Sequence, residues 1–72
     1  MEFEIIRNIA ILGQKSIWTK ELNVVRWNRK IDKFDIRDWT SDHLTMSRGI
    51  TLNDQELANL KDALNEMYET IL

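Results

Sequence analysis

Seventy-two residues make one domain, and a domain of this size buries too little of its unfolded surface to be comfortably stable on its own core. Disulfides are excluded by the absence of cysteine. A lone histidine supplies too few soft ligands for structural zinc, so pairing with a second copy is the usual remaining solution. The formal charge of −2 excludes a uniformly basic chain, yet it averages two unlike segments. From Lys15 to Arg37, seven cations (Lys15, Lys20, Arg26, Arg29, Lys30, Lys33 and Arg37) outnumber Glu21, Asp32 and Asp35, whereas beyond Asn53 the acids Asp54, Glu56, Asp62, Glu66 and Glu69 meet only Lys61.

The start, MEFEIIRN, has no basic region followed by a small-residue cleavage site, and no apolar run is long enough to span a bilayer. The expectation is a cytoplasmic protein. Alternation with period two predicts a first strand with Phe3, Ile5, Ile9 and Ile11 on one face and Ile6, Ala10 and Leu12 on the other. Both faces are apolar, so this strand is expected to be well covered. Gly13 to Ser16 is expected to turn the chain. A second strand from about Ile17 to Trp27 is rich in β-branched and aromatic residues, which suit a pleated surface. Its Trp18 and Lys20 share a face with Leu22 and Val24. Either that face is core and Lys20 snorkels to its edge, or a bulge switches the faces midway.

Asn28 to Asp32 is a polar, basic loop. The third strand, KFDIRDW from Lys33 to Trp39, sets Phe34 and Ile36 on one face, expected to be buried, and Asp35, Arg37 and Trp39 on the other, expected to be functional. Thr40 to Ser47 reads as a loop and Arg48 to Leu52 as a short fourth strand. Asn53 is then a good N-cap, with Glu56 placed to complete a capping box and Leu52 and Leu57 placed for a hydrophobic staple. Beyond it Leu57, Leu60, Leu64, Met67 and Ile71 recur at spacings of three and four, the apolar stripe of an amphipathic helix. The fold class is therefore α+β, a four-stranded antiparallel sheet followed by one C-terminal helix (ββββα), as a single domain over residues 1–72. One helix cannot cover both faces of four strands.

All three tryptophans, Trp18, Trp27 and Trp39, lie in or just beyond the basic segment. Cations that follow phosphates, interleaved with rings that stack on unpaired bases, are what a single strand requires. Each residue also has a plainer reading: a weak surface ion pair for Arg37 with Asp35, core filling for Trp27, and a dimer rim for Trp39. His43 has no second histidine, cysteine or serine at any motif spacing and reads as a loop histidine. Neither glycine belongs to a phosphate loop, and nothing makes a nucleophile, so no enzyme, cofactor or small-molecule substrate is expected.

The segment DIR (Asp35, Ile36, Arg37), a loop, and then GITLNDQELANLKDAL from Gly49 to Leu64 resemble the single-strand-binding domain of the eukaryotic positive cofactor four coactivators. With FEII, WTKELN and KFDIRDW in this order, the chain is more similar still to their bacterial YdbC-type relatives, over nearly its whole length. The resemblance implies a curved sheet, a homodimer packed through its helices, and single-stranded DNA or RNA crossing the concave surfaces. It assigns nucleic-acid contacts to Arg37 and Arg48 and base stacking to Trp27. It also departs from the family, with Asp54 where a proline often opens the helix and no serine-rich regulatory extension, which leaves the binding activity rather than the coactivator role as the expectation.

The candidate binding set is Trp18, Lys20, Asn23, Arg26, Trp27, Lys33, Arg37, Trp39 and Arg48, and the candidate dimer interface is Leu57, Leu60, Leu64, Met67 and Ile71. The function implied is sequence-tolerant single-strand binding in transcription, replication or repair. The competing reading is an adaptor dimer whose basic sheet engages an acidic protein.

Overall fold

The alternating part of the chain folds as four strands and the periodic part as one helix. A computed structural model describes residues 2–71, with β1 (Phe3–Lys15), β2 (Trp18–Trp27), β3 (Asp32–Trp39), β4 (Ile50–Leu52) and α1 (Asp54–Ile71). The strands form one antiparallel sheet in the order β1-β2-β3-β4, so the ββββα architecture read from the sequence is the one observed. No helix among the described residues is long and apolar enough to cross a membrane.

The first hairpin turns later than the sequence suggested. Gly13 and Gln14 still pair, with Lys20 and Thr19, and the turn is Ser16 and Ile17 between the paired Lys15 and Trp18. Ser16 has φ 57, the left-handed first position that lets a two-residue loop follow the strand twist. At the second hairpin Asn28 and Arg29 have φ 50 and 61, and the Lys30 amide donates to the Trp27 carbonyl at 2.9 Å.

β1 does not keep period two. Its register against β2 slips at Ile6, Ile9 and Leu12, each an extra residue opposite none. A bulge leaves one residue unpaired, bends the strand and increases its twist. Three of them convert the alternation into a spacing of three, so that Ile5, Asn8, Ile11 and Gln14 lie across from Val25, Asn23, Glu21 and Thr19 on one face. Of the expected face of Phe3, Ile5, Ile9 and Ile11, the bulges keep Phe3, Ile5 and Ile11 together and remove Ile9. The expected full covering of this strand is wrong, since Ile6, Ile9, Ile11 and Leu12 are all exposed.

The bulged strand coils the sheet. Phe3 pairs with Trp27 at one end of the ladder and Trp39 pairs with Thr19 at the other, yet their ring centroids are 5.2 Å apart. The face bearing both rings is thus concave. Across it lie Asn8, Glu21, Asn23, Val25, Trp27, Asp35, Arg37, Trp39 and Thr51; the convex face carries Trp18, Lys20, Leu22, Val24, Arg26, Phe34, Ile36, Ile50 and Leu52.

The helix start is as read: the Glu56 amide donates to Asn53 Oδ1 and the Asn53 amide to Glu56 Oε1, both at 2.8 Å. α1 leans on β3 and β4 through its first turns, where Leu57 and Leu60 are half-buried. From Lys61 to Thr70 every side chain is exposed, including Leu64 at 42% and Met67 at 41%. The side chain of Ile71 lies outside the described part of the structure.

Candidate nucleic-acid interface

The centre of the concave face, at Glu21, Asn23 and Asp35, is polar and nevertheless buried, because these groups find partners on the same face. Asp35, fully buried, accepts from Arg37 Nε and Nη2, both at 2.7 Å, and from Thr51 Oγ1 at 3.3 Å. Arg37 is only 12% exposed. The surface ion pair offered as the plain reading of these residues is instead a buried bidentate fork, the strongest arrangement for an arginine and a carboxylate. The pairing follows from two side chains two residues apart on one face of β3.

Arg37 also lies over the Trp27 ring, with its guanidinium carbon 4.5 Å from the centroid, and Nη1 approaches Met46 Sδ at 3.5 Å. The loop closes over it through Gly49. A side chain there would collide with the Ile36 carbonyl oxygen and with Arg37 Cβ, so only glycine lets the chain pass this close.

A second network occupies the other half of the face. Asn23, fully buried, donates through Nδ2 to Glu21 Oε1 at 3.1 Å and accepts from Asn8 Nδ2 at 2.7 Å. His43 Nε2 lies 3.0 Å from Glu21 Oε2, with Nε2 as the protonated nitrogen, since the carboxylate only accepts. His43 reaches inward from a loop position at φ 58 and its ring also packs on Trp39, centroids 5.5 Å apart. The loop is braced by Asp42, which accepts from the Leu44 amide at 3.0 Å and from Thr40 Oγ1 at 2.8 Å; these bonds hold its carboxyl below the usual range.

Five of the sequence candidates, Asn23, Trp27, Lys33, Arg37 and Trp39, are brought to the concave face. Trp18, Lys20 and Arg26 are not: they project from the convex face, so the open question at β2 resolves as a convex face where Trp18 and Lys20 stay in step with Leu22 and Val24. The bulges sit on β1, not on β2. Arg26 is tied to Asp32 at 2.7 Å, whose hydrogen bond and charge keep the guanidinium more firmly protonated than usual. Arg48 is exposed in the loop beside Gly49, and neither it nor Lys33 makes an ion pair among the described residues.

Trp39 departs most from expectation. It is completely buried, so no ring face is open to a base in this conformation. The expectation that Asp35 and Trp39 mark an open surface fails because the coil of the sheet folds that surface over itself. Sequence reasoning also missed Phe3, Asn8, Glu21 and His43. Only Glu21 carried a signal, a carboxylate at an inward position of a β-branched strand. Among the described residues no group of three His, Asp or Glu side chains is placed to hold a metal ion.

Residues 15–63 match the family described as Transcriptional Coactivator p15 (PC4). The chain belongs to that family. The matched span runs from the first hairpin turn into the helix and so contains the Asp35–Arg37 fork, Gly49 and the capping box of a PC4 domain. Over 66 residues, 90% of this chain and 78% of the relative, it is also 38% identical to an uncharacterized protein of Treponema pallidum (strain Nichols). This relative extends the likeness into β1, outside the PC4 match.

Proposed function

We propose that the chain binds single-stranded nucleic acid along its concave face, DNA in the first place and RNA by the same chemistry, without catalysing a reaction. The observation that carries the reading is Arg37: a guanidinium fixed by Asp35 and laid over Trp27, beside the exposed Arg48, in a chain of the PC4 family. A fixed cation over an indole places a phosphate contact next to a stacking surface, which is the pairing single strands use. A role in transcription, replication or repair is consistent with this chemistry, and membership of the bacterial YdbC-type branch is part of the same proposal.

The binding unit proposed is a homodimer joined through α1. The chain exposes 5685 Å², against about 4,700 Å² for a compact monomer of its mass. The excess of about 1,000 Å² is close to what one partner buries in a stable interface. Leu64, Met67 and Ile50, the last 55% exposed, lie on the uncovered helix and convex face.

A titration of tryptophan emission with short oligothymidine and with duplex DNA tests the binding. Quenching by the single strand at lower concentration than by the duplex is expected. No spectral change with either, alongside binding of an acidic protein, would instead establish the adaptor.

A further inference from the structure

Trp27 and Trp39 are bridged by a third ring. Phe3 stands 5.9 Å from Trp27 and 5.2 Å from Trp39, centroid to centroid, tilted 49° to each. Both indole nitrogens, Trp27 Nε1 and Trp39 Nε1, are buried and have no hydrogen-bond partner. Buried N–H groups are nearly always paired, and leaving one unpaired is a standing cost.

The two buried carboxylates of this face are engaged elsewhere. Asp35 is held by Arg37 and Thr51, and Glu21 by Asn8, Asn23 and His43. Phe3 packs against both indoles with the flat shape of a base and can pair with neither N–H, since a phenyl ring accepts no in-plane hydrogen bond. A nucleobase has the same flat form and carries carbonyl oxygens or ring nitrogens around its rim.

We infer that the space between Trp27 and Trp39 is a nucleobase slot, occupied in the free protein by Phe3, and that an unpaired base displaces Phe3 and accepts a hydrogen bond from one or both indole N–H groups. The inference rests on the single-strand reading of this face and adds to it the place where a base enters. Phe3 is the member of the cluster best able to leave. It is half-buried on an edge strand whose ladder first breaks at Ile6, whereas Trp27 lies under Arg37 and Trp39 is enclosed. Displacement also opens one side of Trp39, because Phe3 is one of the two rings packed on it, His43 being the other.

The test compares short oligothymidine with an abasic strand of equal length, which keeps the phosphates and lacks the bases. A slot closed by its own side chain lowers apparent affinity by the fraction of time it stands open. Phe3→Ala should therefore tighten oligothymidine binding by about tenfold, for a slot open roughly a tenth of the time, and leave abasic binding unchanged. In the unaltered chain, at least one of the two indole N–H resonances should move and exchange more slowly with solvent when oligothymidine is added, but not with the abasic strand.

A folded Phe3→Ala chain that binds oligothymidine no better than its parent overturns the inference. Where that variant does not fold, Phe3→Leu and the indole resonances of the parent decide; resonances unchanged at saturating oligothymidine overturn it as well. A parent that binds neither strand overturns the reading of the whole face, whereas a parent that binds both equally removes the slot and keeps the phosphate surface.

Discussion

The two faces of the sheet reverse the usual relation between polarity and burial. On the concave side Asn23, Asp35 and Glu21 are buried, while on the convex side Ile50 is exposed and Phe34, Ile36 and Leu52 are only half-covered. Buried polar groups are tolerable when each finds its partner, and here the carboxylates, amides and guanidinium do so in two sets, around Arg37 and around Glu21, while the indole N–H groups of Trp27 and Trp39 stay unpaired. A half-covered apolar face, in contrast, calls for more apolar surface from elsewhere. The charged and amide groups of one face are paired within the chain, and the apolar side chains of the other are not covered by it.

The largest effect should come from breaking the half-covered side. Leu64→Asp places a charge on the exposed stripe of α1 and should convert the proposed dimer to a monomer or an unfolded chain; a folded dimer by light scattering would remove the helix from the interface. Next in size is Asp35→Ala, which strands Arg37 without its counter-charge and should cost about 3 kcal/mol or more in denaturant unfolding. Ile50→Ala, made as the convex counterpart, should cost less than Asp35→Ala. If the order is reversed, the concave network contributes little and the comparison fails.

Binding sharpens the contrast further. Trp27→Ala should weaken single-strand binding by roughly 1 to 3 kcal/mol with its salt slope nearly kept, because stacking releases few ions. Arg48→Ala should flatten the slope by about 0.7, the counterion release of one phosphate contact on a single strand. Arg37→Ala is a poorer measure, since it leaves Asp35 buried and uncompensated and would be read partly as unfolding. The smallest effect concerns Asp42. A carboxyl held below its unfolded value adds stability that is present above that value, ~3.9, and is lost as pH falls through the lowered one. The melting-temperature gap between the parent and Asp42→Ala should therefore persist at neutral pH and close in acid.

What could be read from the sequence was local. The Asn53–Glu56 capping box depends on neighbours three residues apart, and both of its bonds form as read. The shared face of Asp35, Arg37 and Trp39 followed from the pleat. Which face would be covered was not legible, because that depends on coiling, and coiling depends on bulges for which the apolar run of β1 gives no signal. Glu21 and His43 are 22 residues apart and meet through a loop in which His43 takes a left-handed conformation. Asn23, chosen for a ligand contact, is spent on Glu21 and Asn8 instead.

The bulges of β1 bear on solubility as well as on shape. β1 is a long strand at the edge of its sheet, with Ile5, Ile6, Ile9, Ile11 and Leu12 interrupted by polar side chains only at Arg7 and Asn8. A straight edge of that composition is a template for further strands and for fibrillar association. Interruptions at Ile6, Ile9 and Leu12 deny an incoming strand any unbroken stretch of matched donors and acceptors. The irregularity that curls the sheet around its ligand face thus also protects the chain from aggregating along its own margin.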